Sequence, residues 1–592
     1  MQASGNSKNT WKVINKVLRP GEDNLTNKDS LFYIDNQLSC DSVKIADEFN
    51  KYYVNVGVEL SSKVPIVNRS CCDYVNDGGV EAFSFLETNE DEVRQIVHGL
   101  SNSSPGADDI PTKVLKQTIT PILTPLLHIL NQSLKTGVVP NKLKVAKVIP
   151  LHKKESKQHF KNYRPISILP AFSKVLEKVV TIRLTSHLEA NGLLSNSQFG
   201  FREKRSTTSA ILNLTDYILD SFKEYKHVVG VFLDLAKAFE TVSHEILLKK
   251  LECIGVTGIS GQWFSNYLSG RTQYIHYADQ NSSPLNIPMS IPQGSILGPV
   301  LFCVYINDIV NSLKMANITL FADDTCVYYA HKNIDTLINT LNSELTLLND
   351  WFSVNKLTLN LSKSHYVIFS RRNYNIAGIT QLRINNIPLS LVNSTLFLGI
   401  YLDRKLSWGD HISYLTKKLN KYRAILFLTR DSLTINSIKL IYNSLIYQNL
   451  LYGNIVWGRA SKSKIKPLEI AQRNIVRTMM FRSKYSHTHN DFASLKLFKI
   501  NDINFFSSCM FVYKSINQLT YPINYFNFND NVFYNLRDNS NLRINFRRTN
   551  QGQSSPSFYG CHDWNSLPVE IRQAPTLPSF KKSLKDYILN NY

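Results

Sequence analysis

Cysteine is scarce in this chain of 592 residues, and the eight present (positions 40, 71, 72, 253, 303, 326, 509 and 561) are scattered. No C-x-x-C pair occurs, so spacing gives neither a zinc ribbon nor a dithiol redox motif. Cys71 and Cys72 are adjacent, which rarely suits a disulfide or a shared metal, and Cys303 and Cys326 sit in apolar runs as small core residues. "SHTHND" at 486–491 brings His487 near His489, but no cysteine lies close enough to complete a zinc site. Long apolar runs are missing too. The longest, "PVLFCVYI" (299–306), is far short of the roughly 20 residues that a membrane helix needs. The opening "MQASGNSKNTWK" has no apolar signal-peptide core. No internal repeat and no long low-complexity tract is present. These absences predict a soluble, reduced, intracellular protein with no membrane partner.

Acidic residues are in deficit. Asp and Glu number 46 against 67 Lys and Arg, a formal charge of +21, while hydrophobic residues at 43% are ordinary for a globular chain. A net positive field of that size gathers polyanions and speeds their encounter, although charge alone does not single out nucleic acid.

The chain is long enough for several domains. The turn-rich "NSSPGADDIPTKVL" (102–115) opens a helix and marks entry to a core domain, preceded by helical pieces such as "SVKIADEFNKYYVNVGVEL" (42–60). From about 145 to 402, short apolar strands alternate with helices, the pattern of an α/β or α+β domain. Within "NIDTLINTLNSELTLLNDWF" (333–352), Ile334, Leu337, Ile338, Leu341, Leu345, Leu348 and Phe352 recur at helical spacing and predict one buried stripe. Beyond 405 the chain turns basic and helical. "TKKLNKYRAILFLTR" (416–430) and "LEIAQRNIVRTMM" (468–480) set cations beside apolar stripes. Arg473 and Arg477, four apart, share a face that reads equally as solvated surface or as a nucleic-acid groove.

The few acids are oddly placed. "ITLFADDTCVYYA" (318–330) puts Asp323 and Asp324 between two apolar strand-like runs. Asp-Asp is good turn chemistry, so a hairpin explains it without function. A second site changes the weighing. "HVVGVFLDLAKAFETV" (227–242) is a continuous apolar run, as in a strand buried on both faces, that ends at Asp234, with a helical pattern "AKAFETVSHEILLKKL" following. If the strands lie side by side, three carboxylates converge. Two unit charges about 4 Å apart repel by roughly 4 kcal/mol at an effective dielectric of 20, so such a group calls for a cation. Oxygen ligands with open positions suit Mg²⁺, and two ions about 3.5–4 Å apart can activate a hydroxyl and stabilise a leaving pyrophosphate.

In order and spacing, "VVGVFLDLAKAFETVSHEIL", "SIPQGSILGPVLFCVYINDI" (290–309), "LFADDTCVYY" and "NKLTLNLSKSHYVIF" (355–369) resemble the palm motifs of reverse transcriptases. With "NYRPISILPAFSKVLEKVV" (162–180) and "NSQFGFREKRST" (196–207), the "FADD" form resembles the non-long-terminal-repeat (LINE-type, Jockey-like) retrotransposon branch. The likeness is strong over about 140–402 and weaker outside it, where "TWKVINKV" and "IADEFNKYYVNVG" are similar to the segment before the polymerase. It implies an α+β right-hand polymerase: an N-terminal helical extension over 1–100, fingers with part of the palm over 101–225, a palm over 226–402 with an antiparallel sheet carrying helices on one face, a helical thumb over 403–485, and a C-terminal region, 486–592, of unassigned role.

The resemblance also implies roles residue by residue. Asp234, Asp323 and Asp324 match the metal-binding acids, with the Leu235 carbonyl as an extra ligand. Phe239 matches the aromatic gate that would clash with a 2′-hydroxyl, although a core Phe explains that position as well. Gln293 and Gly294 match the loop lining nucleotide and template, Pro299 suits the first turn of the next helix, and Lys153 and Arg164 match fingers cations that meet the triphosphate. Lys363 resembles the lysine proposed to protonate pyrophosphate, and "LFLGIYLD" (396–403) the primer-grip hairpin. The implied partners are an RNA template, a DNA primer or target and dNTPs; the implied cofactors are two Mg²⁺ ions, with Mn²⁺ as an alternative; the implied location is the nucleus, the cytoplasm or both. Glu240 stands where the family commonly has Asp, with little effect expected on a following helix. The endonuclease and the Cys/His knuckle of complete elements are not found, so the chain reads as a polymerase portion. The rivals are an RNA-dependent RNA polymerase, opposed by Phe239, and an inactive or domesticated RNA-binding relic, opposed by the intact acids.

Overall fold

In the computed structural model, residues 31–65, 67–75, 79–153, 155–372, 381–521, 525–528, 541–544, 550–553 and 555–590 are described. "TWKVINKV" lies outside them. Helix α1, Ser42–Ser62, starts where the Asp41 carboxylate accepts from the amides of Val43 and Lys44. It buries Phe49 and Tyr53 against Phe32, Tyr163 and Tyr277, an aromatic cluster over a sheet built from Val145–His152, Tyr163–Ile168 and Thr272–Tyr277. After helices Glu90–Gly99, Thr112–Thr136 and Ala171–Ala190, helix α2, Thr207–Lys223, leads into the central strand of a second sheet, β1 (His227–Leu233).

Strand β1 is buried at every position because it is the middle of a five-stranded sheet. It pairs antiparallel on one side with β3 (Asp324–His331), which itself forms a hairpin with β2 (Asn317–Phe321), and on the other side with β4 (His365–Phe369). Period-two alternation sends Val229, Val231, Leu233, Val327 and Ile368 to one core, and Val228, Phe232, Cys326, Tyr328, Val367 and Phe369 to the other. That double burial is why the strand reads as an unbroken apolar run rather than an alternating one.

Helix α3, Ile334–Val354, covers the first face with Leu337, Ile338, Leu341, Leu345 and Leu348, the stripe expected from the sequence, and the Asn333 side chain caps it by accepting from the Thr336 amide. Each such burial contributes about 1.5–3 kcal/mol. The other face is not open. Helix α2 buries Ile211, Leu212, Leu214, Ile218 and Phe222 there, so the expectation of helices on one face is corrected to helices on both. The sheet is also not wholly antiparallel, since Ser390–Leu391 pairs with β4 in parallel. The fold is mixed helix and sheet, as expected.

The second core continues into helices Gly409–Thr429, α4 (Lys462–Met479), α5 (Ile500–Ile516) and Pro556–Asn565. The described part of the Asn-, Phe- and Tyr-rich C-terminal stretch therefore belongs to a packed body, with Tyr513 stacked on Phe580 at 4.2 Å between ring centres. Among the described residues no helix is long and apolar enough to cross a membrane.

Candidate active site

The register of the sheet decides where the acids meet. Leu233 at the end of β1 lies opposite Thr325 of β3, so the next residue of β1, Asp234, comes beside the hairpin turn that carries Asp323 and Asp324. The turn is tight: Phe321 and Asp324 are paired, leaving Ala322 and Asp323 as the loop, with Ala322 at φ +55°. An alanine in that left-handed region is strained, and the neighbouring motif holds it there. The Gln198 side-chain oxygen accepts from the amides of Gly200 (2.8 Å) and Ala322 (3.2 Å), while Ser197 and Phe199 bond the Leu320 backbone from the side. A Cβ on Gly200 would collide with the Ala322 nitrogen. "SQFG" is thus a strap laid across the acidic hairpin.

A second strap holds Asp234. The segment after α3 runs back along it: the Ala236 amide donates to Thr358, the Asn360 amide to the Asp234 carbonyl (2.8 Å), and the Asp234 amide to the Ser364 hydroxyl (3.2 Å). This fixes the adjoining Lys363, whose Nζ stands 3.6 Å from Asp234 Oδ2. Leu235 continues the ladder by bridging Leu359, with its side chain in the core.

The three carboxylates feel one another. Asp323 and Asp324 are open to solvent at the turn, yet surrounding protein removes enough water to raise both. For Asp323 burial is the main cause, with the charge of Asp234 adding and the fields of Arg164 and Lys153 opposing. Asp324 is pushed up to about 6 by burial, then by Asp323, then by Asp234. Lys153 follows Val145–His152, its amide bonded to Asn162, while Arg164 lies on Tyr163–Ile168 opposite Leu151; both side chains are exposed towards the acids.

The residues after Asp234 depart from expectation. Positions 236–242 are turns, and the helix begins only at His244, where Ser243 caps it through the Ile246 amide. Lys237 adopts φ +53°, which a continuing helix does not allow. The turn presents three side chains. Phe239 is partly buried and stacks on Phe302, ring centres 4.7 Å apart and planes within 16°. Lys237 lies over the Tyr52 ring of α1 at 5.4 Å. Glu240 is buried, pushed up by that burial, and accepts from Gln293 Nε2 at 3.0 Å. The expectation that Glu240 sits on a helix with little consequence is therefore corrected: it is a buried acid that orients Gln293. Sequence reading missed Lys237 and Gln198. The signal for Lys237 was a charged residue inside the motif that follows an apolar strand; Gln198, in the polar "NSQFGFREKRST", gave none.

The loop of "PQG" lies against Tyr163–Ile168, with the Ser167 amide donating to the Gln293 carbonyl at 2.8 Å. Gly294 has φ +127° and no room for a Cβ against the Ser167 carbonyl, so only glycine fits. Pro299 falls in the first turn of helix Gly298–Ile306, as expected. The contacts link these residues pairwise: Lys363 to Asp234, the fields of Lys153 and Arg164 to Asp323, and Gln293 to both Glu240 and the Ser167 backbone.

The donors suit a hard divalent cation. They are oxygens only, and carboxylates such as Asp323 and Asp324, pushed up by burial and then by neighbouring acids, are stabilised when a cation enters. Among the described residues no group of three or more His, Cys, Asp or Glu side chains is arranged to hold a metal ion as it stands. The acids would supply one side of a coordination sphere and leave its other positions open.

Residues 151–408 match the family model for reverse transcriptase (RNA-dependent DNA polymerase). The chain is 28% identical over 390 residues to the probable RNA-directed DNA polymerase from transposon X-element of Drosophila melanogaster, covering 64% of this chain and 42% of that protein. It is 27% identical over 427 residues to the RNA-directed DNA polymerase from mobile element jockey of Drosophila melanogaster, covering 70% and 46% respectively. A third relative, the Pol polyprotein of type-1 retrotransposable element R2 of Popillia japonica, is 25% identical over 287 residues, covering 46% and 38%. The chain spans less than half the length of these curated relatives. Over 151–408 the chain thus carries a domain that matches reverse transcriptases, and it is similar to the RNA-directed DNA polymerases of non-long-terminal-repeat, LINE-type retrotransposons.

Proposed function

We propose that this chain is an RNA-directed DNA polymerase that extends a primer 3′-hydroxyl on an RNA template by phosphoryl transfer from dNTPs. The observation that carries the reading is the meeting of Asp234, at the end of the central strand, with Asp323 and Asp324 on the adjacent hairpin tip. In this reading Asp234, Asp323, Asp324 and the Leu235 carbonyl hold two Mg²⁺ ions. Bound there, the ions would lower the pKa of the primer hydroxyl and neutralise charge building on the leaving pyrophosphate.

The chain's own residues do the rest. Lys153 and Arg164 place permanent positive charge where the triphosphate enters, opposite the acids. Lys363, held against Asp234, is within reach to hand a proton to pyrophosphate. Gln293, oriented by Glu240, and the bare backbone of Gly294 line the nucleotide. Phe239 cannot swing away, because Phe302 backs its ring, and so it bars a 2′-hydroxyl. Residues 101–225 serve as fingers, 226–402 as palm and 403–485 as thumb. Hairpin Ser394–Phe397/Ile400–Asp403, turning on Leu398 and Gly399, holds the primer end.

The test is incorporation on poly(rA)–oligo(dT), with dTTP or UTP, with and without Mg²⁺, beside Asp323→Ala. Mg²⁺-dependent dTTP incorporation that disappears in the variant is expected. Absence of incorporation by folded wild-type protein that binds the duplex would overturn the reading, and UTP used as readily as dTTP would remove the role of Phe239.

A further inference from the structure

Two sequence features remain outside the polymerase site: the Arg473/Arg477 pair and the "SHTHND" segment. The fold brings them together. Helix α4 and the start of α5 form the walls of a cleft of about 270 Å³, and residues 487–489 close its end. Arg473, Arg477, His487, His489 and Lys499 all line it, against a single carboxylate, Glu469. Apart from the histidines, the lining carries three cationic side chains and one carboxylate.

The cations are arranged rather than merely present. Arg477 is fixed from behind: its Nε donates to the Ser486 carbonyl and its Nη1 to Asn474 Oδ1, both at 2.8 Å. A guanidinium held in one plane has already lost the freedom that binding would otherwise take from it. Lys499 Nζ lies 3.1 Å from His489 Nδ1 at the opposite wall. Arg473 has a loose contact with Glu469 at 3.8 Å, and its side chain is 55% exposed. The floor is inert, because Gln472 is buried and spends its amide on Tyr442, the Phe498 carbonyl and the Ile500 amide.

We infer that this cleft is a second nucleic-acid contact, taking one backbone phosphate between Arg473, Arg477 and Lys499. Its ligand chemistry is a phosphate oxyanion, and the net charge of +21 makes a polynucleotide the source to which the chain is steered. The inference does not depend on catalysis, since backbone binding and nucleotide transfer are separate readouts.

The test measures binding of a poly(rA)–oligo(dT) duplex to the full chain by fluorescence anisotropy over a salt series. Each phosphate neutralised contributes about 0.9 to the slope of log K against log salt. Arg473→Gln/Lys499→Gln should lower that slope by about 1 and weaken binding roughly 3- to 10-fold near 0.1 M salt, while Arg473→Lys keeps the wild-type slope. Glu469→Gln removes the carboxylate that lines the cleft and should tighten binding about 2-fold, a gain that damaged folding cannot imitate. An unchanged slope in folded double variant, or weaker binding by Glu469→Gln, overturns the proposal. A parallel titration with inorganic phosphate separates the two sources: phosphate binding that the double variant abolishes, with duplex affinity untouched, makes this a free-anion site and overturns the nucleic-acid assignment.

Discussion

The acidic hairpin and the basic cleft each concentrate charge of one sign, and the chain holds the two sets by opposite means. Asp234, Asp323 and Asp324 are clamped through backbone by segments far away in sequence, 197–200 on one side and 358–364 on the other. Their mutual repulsion is left standing inside a partly desolvated cleft. The cations of the cleft sit on exposed or half-exposed side chains of neighbouring helices, with Glu469 and two histidines among them. Rigid placement of charge suits chemistry, in which an error of about 1 Å costs roughly 10²-fold. Softer, hydrated charge suits affinity. Disturbing the first region should therefore change turnover, and disturbing the second should change binding.

The largest effect should come from the acids. Asp234→Asn and Asp323→Asn are expected to lower single-turnover dTTP incorporation by about 10³-fold or more, with duplex affinity within about 2-fold of wild type. Next come the straps. Gly200→Ala pushes the Ala322 turn away from the strap and should lower incorporation about 10²-fold without abolishing the fold, measured as kcat beside the circular-dichroism melt. Phe239→Val should leave dTTP use largely intact and narrow the preference for dTTP over UTP by roughly 10- to 100-fold, read from the ratio of kcat/KM values.

The smallest effect concerns stability and sharpens the electrostatic half of the comparison. Asp324 has its ordinary value, near 3.8, when unfolded and about 6 when folded. Between those values the native protein binds more protons than the unfolded chain, so this group lowers metal-free stability as pH rises through the window. Asp324→Asn removes that loss. Its Tm without metal should exceed the wild-type Tm by a few degrees at pH 7.5, and the difference should fade towards pH 4. A variant that melts lower at pH 7.5 would mean that the carboxylate is not under strain from its neighbours.

How much could be read beforehand follows the same division. The acids were legible because they interrupt apolar runs, a contrast that survives in one dimension. The stripe of α3 was legible for a related reason: Leu337, Leu341, Leu345 and Leu348 repeat at the helical period and all go to one core. The turn at 236–242 was not, because its apolar residues also fit a helix, and Lys237 gives no local sign of its left-handed backbone. The second covered face of the sheet was hidden since α2 arrives from earlier in the chain. Glu240 was underestimated because its partner, Gln293, is 53 residues away. Arg473 and Arg477 could not be assigned between a solvated face and a groove, because the opposite wall, Lys499, lies just before another helix.

The central claim is that three carboxylates from two strands form a single cation site. It is tested most directly by titrating Mn²⁺, followed by electron paramagnetic resonance, into protein held on a chain-terminated primer–template with dTTP. The account predicts about two tightly held ions in wild type and loss of that binding in Asp234→Asn and in Asp323→Asn alike, as expected for shared ligands. Wild-type stoichiometry and affinity in both variants would contradict it.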